Sequence, residues 1–102
     1  VEVTRLLYYR VVWARDQGLT LIHEASLAKA FADETLKHIV TIGMEIMGLH
    51  GQLKPGSKWA SFAAKIQHAY LTNPAWALGG GSTEIQKNII AWMGLRMPRE
   101  KA

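Results

Sequence analysis

The sequence predicts an all-α fold, an antiparallel helical bundle, on three observations. Apolar residues recur at intervals of three and four along the 102-residue chain, which is the period of an amphipathic helix. No segment alternates apolar and polar residues as a half-buried strand does. Clusters of glycine and proline separate four periodic segments, and a chain of this length forms one domain at most, here residues 1–102.

The first two periodic segments predict two long helices. The first covers roughly residues 1–17. Thr20 is a suitable N-cap for the second, because its hydroxyl can accept a bond from a first-turn N–H group. This helix is expected to end near Met47, at a glycine turn. Ala28 and Ala32 lie on one face of it and allow a neighbouring helix to approach closely.

The last two segments predict two further helices. Ser57 is expected to cap the third, which ends at Asn73-Pro74 because proline cannot continue a helix ladder. Thr83 and Gln86 match a capping box for the fourth, which runs to Gly94. Its inward-facing residues are expected to be Ile85, Ile89, Trp92 and Met93. The tryptophans, interpreted mainly as packing residues, are Trp13, Trp59, Trp76 and Trp92.

Composition excludes several classes of function. The formal net charge is +4, but the basic residues are dispersed along the chain, which disfavours nucleic-acid binding. Cysteine is absent, so disulfides and thiolate-held metals are excluded. No apolar run is long enough to span a bilayer, and a cytoplasmic location is expected. The chain starts at Val1, inside an apolar helical pattern, which indicates a fragment of a longer protein.

The most informative segment is Gly79-Gly80-Gly81, which leads directly into the fourth helix. Glycines allow backbone N–H groups to converge on an anion, and a helix start adds unpaired donors and a positive dipole end. The pattern therefore suits a phosphate group. The alternative is a flexible turn followed by an ordinary cap at Ser82 or Thr83, and the local pattern leaves both interpretations open.

The surrounding sequence resembles a known family. Residues 81–91, GSTEIQKNIIA, followed by GLRMPR at 94–99, are similar to the C-terminal signature of the acyl-CoA dehydrogenases, G-T-S-E-I-Q-R-N-I-I-A with a terminal G-L-P-R. Residues 25–32, ASLAKAFA, resemble that family's A-S-x-A-K-x-F-A helix. Residues 45–51, EIMGLHG, are similar to its Q-I-x-G-G-x-G turn. The order of the motifs along the chain also agrees.

The resemblance implies a flavoprotein oxidoreductase of fatty acid metabolism. Its reaction is FAD-dependent α,β-dehydrogenation of an acyl-CoA thioester, and the electrons pass to an electron-transferring flavoprotein. The expected assembly is a homo- or hetero-oligomer of acyl-CoA dehydrogenase subunits. The family's C-terminal domain is a four-helix bundle, and its first long helix has no counterpart here. The apolar face that this helix would cover is therefore expected to be bare, so the isolated chain should self-associate.

The same resemblance assigns site residues position by position. The first turn is implied to approach the FAD of a neighbouring subunit through Glu45, Ile46, Met47, Gly48 and Leu49. In this turn Glu45 replaces the family's glutamine, and Leu49 replaces its second glycine. The second turn is implied to contact FAD through Ser82, Thr83 and Glu84, and to place the backbone of Gly81 beside the thioester.

The sequence departs from the family pattern at Gly80, where many members carry the glutamate that removes the α-proton. Glycine cannot accept a proton, so no catalytic residue is assigned on this chain. Two explanations remain open: the base lies on the preceding helix, outside this sequence, or the subunit is a non-catalytic partner in a mixed assembly. A purely structural helical module and a basic DNA-binding domain are the competing interpretations.

Overall fold

The structure, a computed structural model, describes residues 1–99, apart from the side chains at positions 61 and 63. Four α-helices follow one another along the chain: α1 (Glu2–Asp16), α2 (Ile22–Met47), α3 (Lys65–Leu78) and α4 (Thr83–Ile89). Two short 3-10 turns and one π-helical turn complete them: Gly48–Gln52, Ser61–Ala64 and Ile90–Gly94. Over these described residues no strand occurs, and the all-α prediction is confirmed.

Helix α2 is the centre of the fold, since α1, α3 and α4 all pack against it. The contacts are made by small side chains, which permit close approach of the helix axes. At Gly43 an added Cβ would lie 3.1 Å from Cγ2 of Ile66 on α3. The buried apolar residues are Ala14, Ala28, Ala30, Val40 and Ala64.

Short polar contacts join α1 to α2. Arg10 Nε donates to Glu24 Oε1 at 2.8 Å, and the hydroxyl groups of Thr4 and Thr35 lie 3.5 Å apart. Gly18, at φ +71°, reverses the chain between the two helices. The reversal is tight because the N–H group of Leu19 bonds back to the carbonyl of Ala14 at 2.9 Å, which makes the two helices antiparallel neighbours.

The molecule is a thin slab and does not enclose a core. Its dimensions are 53 × 36 × 18 Å and its radius of gyration is 17.5 Å, against about 13 Å for a compact domain of 100 residues. None of the large apolar side chains that are described is fully buried, and Ile46, Leu49 and Phe62 are 81%, 82% and 76% exposed. The bare apolar surface expected from the sequence is therefore present.

Three predicted helix boundaries are wrong. The N-cap of α2 is Leu21 and not Thr20. The third helix begins at Lys65, eight positions after the predicted cap Ser57, because Ala64 has a left-handed φ of +59° that interrupts the helical path. It also continues through Pro74 to Leu78, although proline removes one ladder hydrogen bond.

Several residues predicted to face inward are exposed instead. Trp13, Trp59 and Trp76 are 59%, 65% and 70% exposed, and the Lys58 ammonium lies 5.1 Å from the ring centroid of Trp59. Ile85 and Met93 on the last helix are 51% and 47% exposed. In the described part of the chain, too few helices surround α2 to cover these apolar side chains.

Candidate functional site

The glycine turn between α3 and α4 has a defined backbone conformation. The Gly79 N–H group bonds to the carbonyls of Ala75 and Trp76, each at 3.2 Å, and the Gly81 N–H group bonds to the carbonyl of Leu78 at 3.1 Å. Gly80 and Gly81 have φ values of +75° and +101°, a region that favours glycine because a Cβ is strained there. The turn is thus ordered and specifically requires glycine.

Gln86 holds this turn from inside α4. Its side-chain amide donates to the carbonyl of Gly80 at 2.8 Å and to that of Gly81 at 3.3 Å. The side chain is buried, with 6% of its residue surface exposed. The predicted capping box is therefore wrong: the N-cap is Ser82, whose carbonyl accepts a bond from the Gln86 N–H group at 3.0 Å, and the Gln86 amide reaches the glycines.

A cavity of about 350 Å³ opens beside the turn. It brings together Ser82, Thr83 and Glu84, which were assigned to one site from the sequence, with residues of α2 and α3. The remaining lining residues are Asp33, Glu34, Lys37, Asn73, Pro74, Ala77, Leu78 and Lys87. Two hydroxyl groups and two ammonium groups on this wall can serve an anionic ligand.

Lys29 occupies the space next to Gly80. A Cβ added to Gly80 would lie 3.7 Å from Cε of Lys29. The ammonium of Lys29 forms an ion pair with Asp33 one helical turn later, and these two side chains are 25% and 12% exposed. Asp33 is therefore already neutralised, which leaves the lysines at 37 and 87 to balance the carboxylates of Glu34 and Glu84.

Glu84 lies fully exposed at the start of α4. A hydrogen bond from the Ser82 hydroxyl lowers the pKa of Glu84 below its ordinary value, and its own backbone N–H group and the nearby Lys87 act in the same direction. The carboxylate is consequently ionised at neutral pH.

The other assigned turn, at the end of α2, lines a separate and larger cavity of about 690 Å³. Glu45, Gly48 and Leu49 line it, together with Thr41, Met44, Gln52, Gln67, Tyr70 and Leu71. Ile46 and Met47 are outside its wall. Gly48 has φ +53°, and nothing lies within 4 Å of a Cβ added to it, so the backbone can be approached closely there.

A third cavity, of about 250 Å³, lies along the seam between α2 and α3 and shares lining residues with both. It shares Thr41, Tyr70 and Leu71 with the large cavity, and Lys37, Asn73 and Pro74 with the cavity at the glycine turn. Along α2 the trough extends from position 33 to position 48, about 22 Å at 1.5 Å per residue. The two assigned turns thus lie at opposite ends of one trough.

Sequence reasoning missed four residues that contribute to this site. Gln86 was assigned to a capping box, although a glutamine beside a glycine turn on a buried face is itself a sign of bonding to the backbone. Lys29 and Asp33 were not identified, although their spacing of four residues is typical of an ion pair on one helix face. Lys37 can be recognised as a site residue only when α3 and α4 are packed against α2.

Residues 1–99 contain no cluster of three or more histidine, aspartate or glutamate side chains placed to hold a metal ion. None of the helices described here combines the length and the apolar character needed to cross a membrane.

The described residues thus form an all-α slab in which two glycine turns lie at the ends of an interhelical trough. The model of one family, described as the acyl-CoA dehydrogenase C-terminal domain, matches residues 1–94. The chain therefore belongs to the acyl-CoA dehydrogenase family. The resemblance and the fold class drawn from the sequence are both confirmed by this match.

Individual relatives and solved structures support this family assignment. The chain is 29% identical over 76 residues to the acyl-CoA dehydrogenase FadE26 of Mycobacterium tuberculosis, covering 74% of this chain and 19% of that protein. It superimposes with a TM-score of 0.90 and 28% identity on the Tcur3481-Tcur3483 steroid ACAD, covering 97% of this chain and 26% of that one. The ChsE4-ChsE5 complex of Mycobacterium tuberculosis matches with a TM-score of 0.85 and 28% identity, over 98% and 25% of the chains. The chain thus spans about a fifth of its curated relative.

Proposed function

We propose that this chain is the C-terminal part of an FAD-dependent acyl-CoA dehydrogenase that removes hydrogen across the α and β carbons of an acyl-CoA thioester. Family membership supports the class of enzyme. The structural observation that carries the proposal is the ordered glycine turn, held by Gln86, beside a cavity that contains Ser82, Thr83 and two lysines. When bound, FAD would accept the β-hydrogen as a hydride.

The residues present suit an anionic dinucleotide. Gly48 and Gly80 both leave space beside the backbone, since only Lys29 approaches a Cβ added to Gly80 and nothing approaches one added to Gly48. Lys37 and Lys87 offset the charges of Glu34 and Glu84 at the glycine turn, and their ammonium groups can donate hydrogen bonds to a phosphate. The Ser82 hydroxyl can contact a phosphate region if its bond to Glu84 is exchanged for one to the ligand.

Each turn has its own role in this proposal. Ser82, Thr83 and Glu84 hold the cofactor at the glycine turn, and the backbone of Gly81 lies beside the thioester. At the far end of the trough, Glu45, Ile46, Met47, Gly48 and Leu49 contact the FAD of a neighbouring subunit through their backbone. The distance of about 22 Å along α2 between the two ends is consistent with two separate contacts.

The base that removes the α-proton lies outside this chain. Gly80 has no side chain to accept a proton, and the carboxylates nearest to it are poorly suited to the task. Asp33 is paired with Lys29. The pKa of Glu84 is lowered by the Ser82 hydroxyl, which makes it a weaker base. We place the base on the helix that precedes this sequence in the full-length protein.

A mixed assembly is the second candidate, and Gly80 is the observation that favours it. The Tcur3481-Tcur3483 protein and the ChsE4-ChsE5 complex, which this chain resembles, each carry two protein names. A subunit without its own base can serve in such an assembly by packing and by contacting a cofactor. The bare apolar surface suits either a homo- or a hetero-oligomer, and the electrons would leave through an electron-transferring flavoprotein.

The test is made on the full-length protein purified as its natural assembly. It should be yellow and should reduce an artificial electron acceptor when given acyl-CoA thioesters, with both straight-chain and steroid-bearing thioesters in the panel. Ser82→Ala should weaken FAD binding, while the matched control Ser57→Ala, at a residue that does not line the trough, should not. A folded but colourless protein would contradict the enzyme assignment. A yellow protein that turns over only with a second subunit present would favour the mixed assembly.

A further inference from the structure

We propose that Gln86 is a positioning residue of the flavin and thioester site. Its side-chain amide fixes the carbonyl groups of Gly80 and Gly81, so that these two oxygens face the protein interior and not the bound ligand. The inference rests on the proposed function, because it concerns the turn that would contact FAD and thioester. Gln86 touches neither ligand and acts through the two glycines.

The contacts of Gln86 all serve this turn. Its amide nitrogen lies 2.8 Å from the carbonyl oxygen of Gly80 and 3.3 Å from that of Gly81. The residue is 6% exposed, and it is not among those that line the neighbouring cavity. The two carbonyl oxygens therefore point into the body of the protein, away from the space that a ligand would fill.

The turn needs such an anchor because glycine supplies little rigidity of its own. Gly80 and Gly81 have φ values of +75° and +101°, and glycine samples both signs of φ readily. A free carbonyl that rotated toward the cavity would repel a phosphate or a developing oxyanion. A preorganised site is effective only when the backbone that forms it does not have to reorganise.

The packing around Gly81 shows that the amide and the turn are fitted to each other. A Cβ added to Gly81 would lie 2.9 Å from Nε2 of Gln86 and 3.5 Å from Cγ2 of Ile85. The amide group therefore fills the space in which any other residue at position 81 would place its side chain. Both the hydrogen bonds and the absence of a Cβ are required for this arrangement.

The test compares donor and non-donor side chains at position 86 in the full-length holoprotein. Gln86→Met keeps the length of the side chain and removes the donors, whereas Gln86→Lys keeps the reach and the donors. For Gln86→Met we expect FAD to bind at least tenfold more weakly, a change of about 1.4 kcal/mol, with a fall in kcat and an altered visible flavin spectrum. Gln86→Lys should recover most of the FAD affinity. The matched control Gln17→Met, at the exposed end of α1, should behave as wild type.

The outcomes separate this inference from the proposed function. If the wild-type protein binds no flavin, the proposed function fails. If wild type binds flavin but Gln86→Met lowers only the melting temperature, with FAD affinity, spectrum and kcat unchanged, Gln86 is a packing residue and the inference is wrong. If neither variant folds, a structure of the wild-type holoprotein tests the inference instead. The inference requires the Gln86 amide to bond to both glycine carbonyls, and an amide turned away from them overturns it.

Discussion

Gly81→Ala is the substitution that the structure predicts most quantitatively. An alanine there must adopt a φ of +101°, a strain of about 1–3 kcal/mol. Its Cβ would also lie 2.9 Å from Nε2 of Gln86, closer than such atoms approach, so the amide must shift, and we expect it to lose its two bonds to the carbonyl groups. Each lost bond costs about 0.5–1.5 kcal/mol. We expect a total loss of about 2–6 kcal/mol in the free energy of unfolding.

The matched control is Gly56→Ala. Gly56 has a similar φ of +87°, but nothing lies within 4 Å of a Cβ added to it, so this variant carries only the strain of about 1–3 kcal/mol. Urea unfolding followed by tryptophan fluorescence should show a lower midpoint for Gly81→Ala than for Gly56→Ala. The excess of about 1–3 kcal/mol is the contribution of the two Gln86 bonds. Equal losses in the two variants would show that Gln86 does not anchor the turn.

Three further predictions concern the same region and the bare surface. Sedimentation of the isolated 102-residue chain should reveal dimers or larger species, because apolar helix faces are uncovered; a compact monomer at micromolar concentration would contradict this. Gly80→Glu should lower the free energy of unfolding by about 1–2 kcal/mol and should not raise kcat, since φ is +75° and Lys29 lies beside the new side chain; an increase in kcat would show that a base is tolerated there. Ser82→Ala should raise the pKa of Glu84, measured by NMR titration, because the hydroxyl is the main cause of the lowered value. The stabilisation from the Ser82 bond is present at neutral pH and is lost as the pH falls through the lowered pKa of Glu84, so an unchanged titration of Glu84 would refute the bond.

Helix number and order were predictable because the spacing of apolar residues depends only on local geometry. The ends at Asp16 and Met47 fall where Gly18 and Gly48 adopt positive φ, and glycine marks such positions in a sequence. The start of α3 was not predictable in this way. It depends on a left-handed alanine, Ala64, and alanine carries no signal for that conformation.

The candidate site was predictable only through motif resemblance, and only in part. Ser82, Thr83 and Glu84 do share a cavity, because neighbours in a helix start are neighbours in space. The role of Gln86 was not predictable, because it depends on the direction of its side chain, which reaches back to the carbonyl groups of Gly80 and Gly81. The pairing of Lys29 with Asp33 beneath Gly80 depends on packing between α2 and the turn. Side-chain direction and helix docking are tertiary properties that spacing along the chain does not specify.

The central claim is that the turn from Gly79 to Ser82 lies against a bound flavin, and a crystal structure of the full-length oligomer with FAD tests it most directly. The account predicts that FAD contacts Ser82 and that the carbonyls of Gly80 and Gly81 still face Gln86. A turn that faces open solvent, with the flavin bound elsewhere, would contradict it.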